Sequence, residues 1–390
     1  MDVLLIGAGM IAHDQILPSL LHLQRRGRIG EISVCASTHE SVRRLAEAEA
    51  IRRAFPGQSF RMHPAAPAPA PQPELYRAVL AGLPPRQLAV IALPDQLHYE
   101  AVMEALHRDQ HVCVVKPLVL RHAEAAAIRD EARRRNLLVG VEYHKRFDDR
   151  SLLARRAYRE GRFGEFRLGT ACLLEKWYYR HSNFQNWMTA EHSDAFTYIG
   201  CHYVDLVHFI TGLLPAAVSV YGILDRFPNG REGYLWTDAR VLWSNGACLN
   251  VQNALGFPDA APGSNTQGLT LYCQGGDAGG WLAHSDQYRG LQHCYVSPPS
   301  YTEPSPDYFQ YVDAGGPGLN PVGYGFRSIE AIVEAAIAVE SGRKTLEEID
   351  AAGLIATPAN SSYNERVIEA ARESIRNGGR EVRFAAEAQV

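Results

Sequence analysis

Two hydrophobic textures divide this chain. Up to about residue 146, short apolar runs alternate with amphipathic stretches. Val3-Leu4-Leu5-Ile6 is unbroken apolar sequence and predicts a strand over 3–6. Ile16, Leu17, Leu20 and Leu21 then recur at helical spacing, predicting a helix over 11–23. The same alternation gives strands at 31–36, 59–63, 88–93, 111–115 and 137–141, and helices at 40–52, 74–83, 97–108 and 121–135. The run 88–93 is almost wholly apolar, as a strand covered on both faces should be. Repeated strand–helix units of this size predict a parallel, doubly wound α/β sheet.

Beyond residue 146 helical stretches at 151–160 and 191–212 give way to alternating segments at 218–224, 232–243, 247–254 and 268–273. These read as antiparallel strands, with Asn245-Gly246 as a tight hairpin turn. Residues 255–325 are rich in Gly, Pro and Tyr and read as long loops; helices at 326–342 and 361–377 follow, and the last dozen residues read as loosely held. Two domains are expected, 1–146 and 147–390. The Pro-rich segment 64–73 reads as an extended, exposed loop with no catalytic role. No internal repeat is visible.

Composition narrows the function classes. The 390 residues carry a net charge of −4, so no global field draws nucleic acid. Clusters such as Arg25-Arg26 and Arg133-Arg134-Arg135 read as solvated helix faces. No 18-residue apolar run marks a membrane span. The first strand begins at residue 2 or 3 with no charged leader, which argues for the cytoplasm. The seven cysteines are scattered without C-x-x-C spacing, so reduced thiols are expected, with neither a disulfide framework nor a metal site.

The strongest chemical signal follows the first strand: Gly7-Ala8-Gly9-Met10-Ile11-Ala12, a G-x-G-x-x-A turn opening a helix. The first glycine permits the tight turn, the second lets backbone approach a pyrophosphate, and the small third residue lets helix and strand pack. The helix N-terminus then offers N–H groups and partial positive charge to phosphate. Gly7, Gly9, Met10 and Ile11 are the expected dinucleotide contacts. The alternative is a plain strand-to-helix turn.

Three later motifs join it: Ala92-Leu93-Pro94-Asp95-Gln96-Leu97-His98, then Lys116-Pro117, then Gly200-Cys201-His202-Tyr203-Val204-Asp205. Taken in order with the glycine turn, they resemble the glucose–fructose oxidoreductase/inositol dehydrogenase (Gfo/Idh/MocA) family over nearly the whole chain. The resemblance implies an N-terminal Rossmann doubly wound parallel sheet plus a C-terminal α+β domain with a large, mostly antiparallel open sheet. It implies a nicotinamide cofactor, NAD or NADP, and oxidation or reduction at a hydroxyl carbon of a sugar, glycoside or inositol. It also implies a homodimer or homotetramer formed through the second-domain sheet.

The residues suit that chemistry. Hydride transfer from a secondary alcohol needs a flat hydride acceptor and a group to take the hydroxyl proton. Lys116 stands at the carboxyl edge of a parallel sheet, where ligands bind, and Pro117 stiffens its turn. The alternative is a solvated loop charge. His202 titrates near neutrality and suits proton relay; read alone it is equally a hydrogen-bonded core histidine. Tyr198, His202 and Asp205 fall on one face of a helix, and Gly200 would admit substrate or nicotinamide. Pro94 and His98 are expected at the cofactor, His98 as a helix cap or ribose contact.

The chain departs from the family pattern in two places. Val115 replaces the acid of the usual Glu-Lys-Pro, and Tyr198 replaces the usual Asp four residues before the histidine. A Lys116–Tyr198–His202 set is workable, and Asp194 stands one turn back to compensate. At the end of the second strand, Ser37 and Thr38 stand where NAD specificity usually shows an acid. With Arg43 and Arg44 one turn on, this leans toward NADP. For the substrate, Lys116, Arg146, Trp177, Tyr179, His202 and Asp205 are expected contacts, because sugars take flat aromatics together with hydrogen-bonding groups. The aromatics read equally as core or interface packing. His144 and Lys145 are placed to face the site, and Tyr324 with the Gly-rich run 314–325 to form a lid. Two other readings stay open: redox-neutral glycoside cleavage with a recycled NAD, and a non-catalytic ligand sensor on the same fold.

Overall fold

The computed structural model describes residues 1–261, 265–275, 278–285 and 307–384. The chain forms two compact units: Met1–Val119 with Ala123–His144 and Tyr308–Asn360, and Leu120–His122 with Lys145–Asp307 and Ser361–Val390. One crossing at 144/145 lies close to the expected boundary at 146. The return of Tyr308–Asn360 to the first unit is a feature that a single cut does not contain.

In the first unit six parallel strands, β1 (Val3–Ile6), β2 (Ile32–Cys35), β3 (Arg61–His63), β4 (Leu88–Ile91), β5 (His111–Val115) and β6 (Val139–Glu142), lie in the order β3-β2-β1-β4-β5-β6. Every residue of β1, β4, β5 and β6 is buried. This is the expected doubly wound sheet, and its apolar strands reflect cover on both faces. Helix α1 (Leu17–Arg25) continues a π-helical turn over Ala12–Ile16. The expected helix 40–52 breaks at Ala48 into α2 (His39–Glu47) and a shorter piece, Glu49–Ala54.

The second unit is built on seven strands. They are β7 (Glu165–Lys176), β8 (Pro215–Arg226), β9 (Glu232–Trp243), β10 (Cys248–Phe257), β11 (Asn265–Gly275), β12 (Ala278–Ser285) and β15 (Val382–Arg383), in the order β12-β11-β7-β10-β9-β8-β15. Among the described residues only β7 and β10 pair in parallel, so the sheet is mostly antiparallel, as expected. The Asn245-Gly246 turn joins β9 to β10, with Gly246 at φ 81°. The central strand β7 was not among the predicted strands. Its Leu168-Gly169-Thr170-Ala171-Cys172-Leu173-Leu174 core lacks a polar face to reveal alternation, because Leu168 lies 51 % exposed on the open side.

Three expectations change here. The loop predicted over 255–325 contains β11, β12 and a hairpin of β13 (Gln310–Val312) with β14 (Asn320–Val322). Its stretch 286–306, with Cys294, lies outside the described residues. The chain end is tied down as far as β15, which pairs with β8. The run 314–325, expected as a lid, is docked instead: Arg25 donates to the carbonyls of Pro317 (3.0 Å) and Leu319 (2.7 Å) and to Asn320 Oδ1 (2.8 Å). Gly318, at φ 83°, presses so closely on the Ala54 carbonyl that a Cβ would sit 2.3 Å from it.

One face of the second sheet is covered by helices α3 (Cys201–Thr211) and α4 (Tyr363–Arg376), burying Val218, Val220, Leu235, Val241, Leu249 and Leu271. The other face leaves Tyr221, Ile223, Tyr272 and Trp281 more than half exposed.

Replacing Arg25 by Ala removes these bonds and leaves the half-buried Leu319 carbonyl and Asn320 side chain without their guanidinium donor. Global stability should fall by about 1–3 kcal/mol, and limited proteolysis should cut first within 310–322. Arg26→Ala, which loses only the exposed pair with Glu330, should change stability by less than about 0.5 kcal/mol. Equal stability of the two variants would refute the docking role.

Candidate active site

The glycine turn is built for close approach. Gly7 sits at φ 114°, and a Cβ there would lie 2.1 Å from the Ala92 carbonyl, so no other residue fits. Gly9 differs: a Cβ built on it meets nothing within 4 Å. Packing does not require that glycine. The open space over it is what a pyrophosphate would occupy, and the turn therefore fits a dinucleotide. Met10 and Ile11 are half-buried at the helix start, and Ala12 is fully buried against the sheet.

At the carboxyl edge, Lys116 follows directly on β5 and is only 8 % exposed, joined to Pro117 by a cis peptide bond. This is not a solvated loop lysine. Pro94 is half-buried at the end of β4. His98 neither caps a helix nor faces solvent. It is fully buried, with Nδ1 2.8 Å from the Pro117 carbonyl and Nε2 2.8 Å from the Leu93 carbonyl. Both ring nitrogens face protein carbonyls, so a ribose contact is ruled out.

Beside it lies a buried polar hub that the sequence did not reveal. Glu142 ends β6, is 2 % exposed, and pairs in register with Val115. Gln15 Nε2 (2.8 Å) and Ser328 Oγ (2.6 Å) donate to its Oε1, while His144 Nδ1 lies 3.3 Å from Oε2. The Gln15 carbonyl oxygen in turn accepts from the Tyr308 hydroxyl at 2.6 Å. His144 packs its ring between Tyr308 and Tyr324, centroids 5.1 and 5.5 Å away. The signal that was available is an acid ending an apolar strand.

At the end of β2, Ser37 is exposed, and Thr38 caps α2 by accepting the Ser41 N–H at 3.2 Å. Arg43 pairs with Glu40 and Glu47 on its own helix, and Arg44 lies 4.0 Å from Glu40.

In the second unit the expected helix over 191–212 begins later. Phe196–Gly200 is a π-helical turn leading into α3. An i→i+5 turn removes the α periodicity on which the shared face of Tyr198, His202 and Asp205 rested. The three side chains accordingly have different surroundings. Tyr198 packs its ring against Phe184 (4.8 Å) and Trp187 (5.5 Å). His202 is 6 % exposed. Asp205, 1 % exposed, takes a two-pronged bond from Arg146 (2.8 and 2.6 Å) and a third from the Tyr363 hydroxyl (2.8 Å).

Arg146 and Asp205, both expected at the substrate, thus satisfy each other in the interior. Asp194 does not compensate for Tyr198: it is buried and accepts from the Thr197 N–H (2.8 Å) and hydroxyl (2.7 Å). Burial raises its pKa against these bonds. Gly200 admits neighbours rather than ligand, since a Cβ there would lie 2.6 Å from both Asn253 Oδ1 and Phe196.

The aromatic segment splits as well. Trp177, 42 % exposed, stacks on the Arg180 guanidinium at 3.6 Å and meets Trp236 edge-on at 6.0 Å. Strand alternation puts Trp236 with exposed Ile223 on the open sheet face, so Trp177 belongs to the side opposite α3. Tyr179 packs on Phe184 (6.3 Å). Lys145 does line the covered face: it is 3 % exposed, donates to Gln267 Oε1 at 2.5 Å and lies 5.3 Å from the Tyr203 ring centroid. Burial lowers its pKa to about 8.

Residues 1–143 match the family model described as an oxidoreductase family with an NAD-binding Rossmann fold, and residues 151–278 match the Gfo/Idh/MocA C-terminal domain. The chain belongs to the Gfo/Idh/MocA oxidoreductase family. An uncharacterized oxidoreductase of Schizosaccharomyces pombe is 39 % identical over 79 residues, 20 % of this chain and 21 % of that protein. The D-glucoside 3-dehydrogenase of Escherichia coli K12 is 26 % identical over 223 residues, 56 % of each chain. The alignments thus span less than two thirds of these relatives. A crystal structure of scyllo-inositol dehydrogenase from Lactobacillus casei, with bound NAD(H) and scyllo-inositol, superposes with a TM-score of 0.69 at 12 % identity over 98 % of both chains. That likeness shows the fold.

Two measurements check this unit of the Gfo/Idh/MocA chain. Asp205→Ala strands a buried guanidinium and should lower stability by about 3–5 kcal/mol, while an exposed control such as Asp238→Ala should not. Stability should also fall with acid. Burial holds His208 near pKa 4, neutral in the fold, with Nδ1 on the Leu213 carbonyl (2.8 Å) and its ring 4.1 Å from Tyr363. A histidine whose folded pKa is depressed contributes stability above its unfolded value of about 6.5, and loses it as pH falls toward the folded one. The loss should reach about 3 kcal/mol by pH 4. Urea midpoints should drop over this window in the wild type and drop less in His208→Gln.

Proposed function

We propose that this chain is an NAD(P)-dependent dehydrogenase that transfers hydride between the nicotinamide and a hydroxyl carbon of a sugar, glycoside or inositol. The observation that carries the reading is Lys116, buried at the carboxyl edge of the same sheet that holds the Gly7–Gly9 turn. When bound, the nicotinamide supplies the hydride acceptor. The Gly9 turn and the helix behind it would hold the pyrophosphate, and Ser37 would stand toward the adenosine ribose. Arg43 is the residue that would take a 2′-phosphate, by exchanging its exposed pairs with Glu40 and Glu47.

Lys116 stabilises the alkoxide that forms as the substrate hydroxyl gives up its proton, and His202 relays that proton. With Tyr198 set in an aromatic cluster and Asp194 capping its own turn, these two carry the acid–base work. Lys145 and Gln267 are polar groups suited to sugar hydroxyls. A relative named for D-glucosides supports glycosides within the substrate class. It also keeps redox-neutral cleavage as the second reading, in which the same bound NAD is reduced and reoxidised.

The exposed Tyr221, Ile223, Tyr272 and Trp281 on the open sheet face support a homodimer or homotetramer through that face. The described cysteines are all free thiols, which suits the cytoplasm.

The test is absorbance at the reduced-nicotinamide band with native mass spectrometry, across a panel of sugars, glycosides and inositols. Reduced cofactor accumulating with one class supports the dehydrogenase. Stoichiometric cofactor, reduced only transiently while a glycoside is consumed, supports cleavage. Lys116→Ala should lower kcat by about 10³-fold or more; undiminished function in that variant would favour a ligand sensor. Light scattering at micromolar concentration should show a dimer or tetramer.

A further inference from the structure

His98 is buried completely, yet it carries two hydrogen-bonding nitrogens at the carboxyl edge of the first sheet. It opens the helix His98–His107. Its ring reaches back to the Leu93 carbonyl, in the turn that leaves β4, and across to the Pro117 carbonyl, in the turn that leaves β5. Both distances are 2.8 Å, and the imidazole N–H donates to one of these carbonyls in the neutral ring and to both in the doubly protonated one. The two turns are adjacent because β4 and β5 are paired. One turn contains Pro94 and the other contains Lys116. The imidazole spans the two turns.

We propose that His98 is the positioning residue for Lys116: its imidazole bridges the β4 and β5 turns and fixes the backbone from which the lysine projects. This rests on the reading of Lys116 as the group that handles the substrate hydroxyl. A rigid ring anchored at both ends holds Pro117, and with it Lys116, more tightly than a solvated turn would. A displacement of an ångström at such a group is enough to cost two orders of magnitude in rate. Polar atoms at both ends of the ring also make the bridge specific, since an apolar replacement leaves a buried carbonyl without its imidazole donor.

Two variants test this. His98→Phe keeps a planar ring and removes the ring's polar contacts with both turns; His98→Gln restores an amide donor to one carbonyl. Circular dichroism first establishes which variants fold. The chain has four lysines, Lys116, Lys145, Lys176 and Lys344. Their acylation rates in the free protein are read by mass spectrometry, with exposed Lys344 as internal reference.

In folded His98→Phe, Lys116 should label at least threefold faster, with Lys145 and Lys176 unchanged. NADH affinity, read by fluorescence, should stay within threefold, and kcat should fall tenfold to a hundredfold with KM for the sugar little changed. His98→Gln should recover part of both effects. Unchanged labelling of Lys116 in a folded His98→Phe overturns the proposal. If His98→Phe does not fold, labelling in His98→Gln decides alone: wild-type rates overturn it, and intermediate acceleration supports it. Should the wild type turn over no sugar at all, the functional reading fails, while the labelling comparison still tests the bridge.

Discussion

A parallel sheet must be covered on both faces, and that constraint shapes the first unit. The β–α repeats up to Glu142 do not complete the cover, and the chain returns with Tyr324–Glu340 to supply it. The fit is close: Gly140 on β6 has no side chain because a Cβ would lie 2.7 Å from Ile332 on that helix. Ser328, on the same helix, donates to Glu142. The last strand and its terminal carboxylate are therefore held by a segment 186 residues away in sequence, and the helix that begins at the glycine turn by the same segment 313 residues away.

That return also explains the polar character of the sheet's carboxyl edge. Burying Glu142 without partners would be strongly unfavourable, and Gln15, Ser328 and His144 meet its two oxygens. Gln15 lies in the π-helical turn Ala12–Ile16, where the wider turn sets it fully inside, with donors and acceptor all engaged. His98 follows the same logic one strand over, with backbone carbonyls in place of a carboxylate. The edge is thus held by buried polar contacts, which is the condition that the role proposed for Lys116 needs.

Much of this was legible in the sequence. Apolar runs placed all six strands of the first sheet within a residue or two, and Gly7 and Gly9 marked the turn by chemistry that only glycine allows. What was not legible depended on long-range partners. Asp205 reads as a site acid until Arg146 is found across from it; a buried ion pair and a substrate contact use the same residue types. Trp177 reads as a sugar platform until strand alternation assigns it to the open face. Strand β7 hid because Thr170 is the one polar side chain among its outward positions Leu168, Thr170, Cys172 and Leu174, too few to mark alternation against the inward Ala171 and Leu173. The segment 255–325 read as loop for a similar reason, its glycines weakening strand patterns that pairing with β7 makes good.

The two departures from the family's motifs have different structural weight. At Val115 the missing acid has a neighbour: Glu142 is its register partner on β6, so a carboxylate still stands at that level of the edge, bonded and buried. At Tyr198 nothing equivalent replaces the acid. Asp194 is one turn back, but its two oxygens are taken by Thr197, and its burial makes ionisation harder rather than easier. The tyrosine ring packs edge-on to Phe184. A proton-handling set that loses its carboxylate loses the group that would keep the histidine charged during turnover. The proposed proton handling by His202 then depends on how firmly the backbone around it is held.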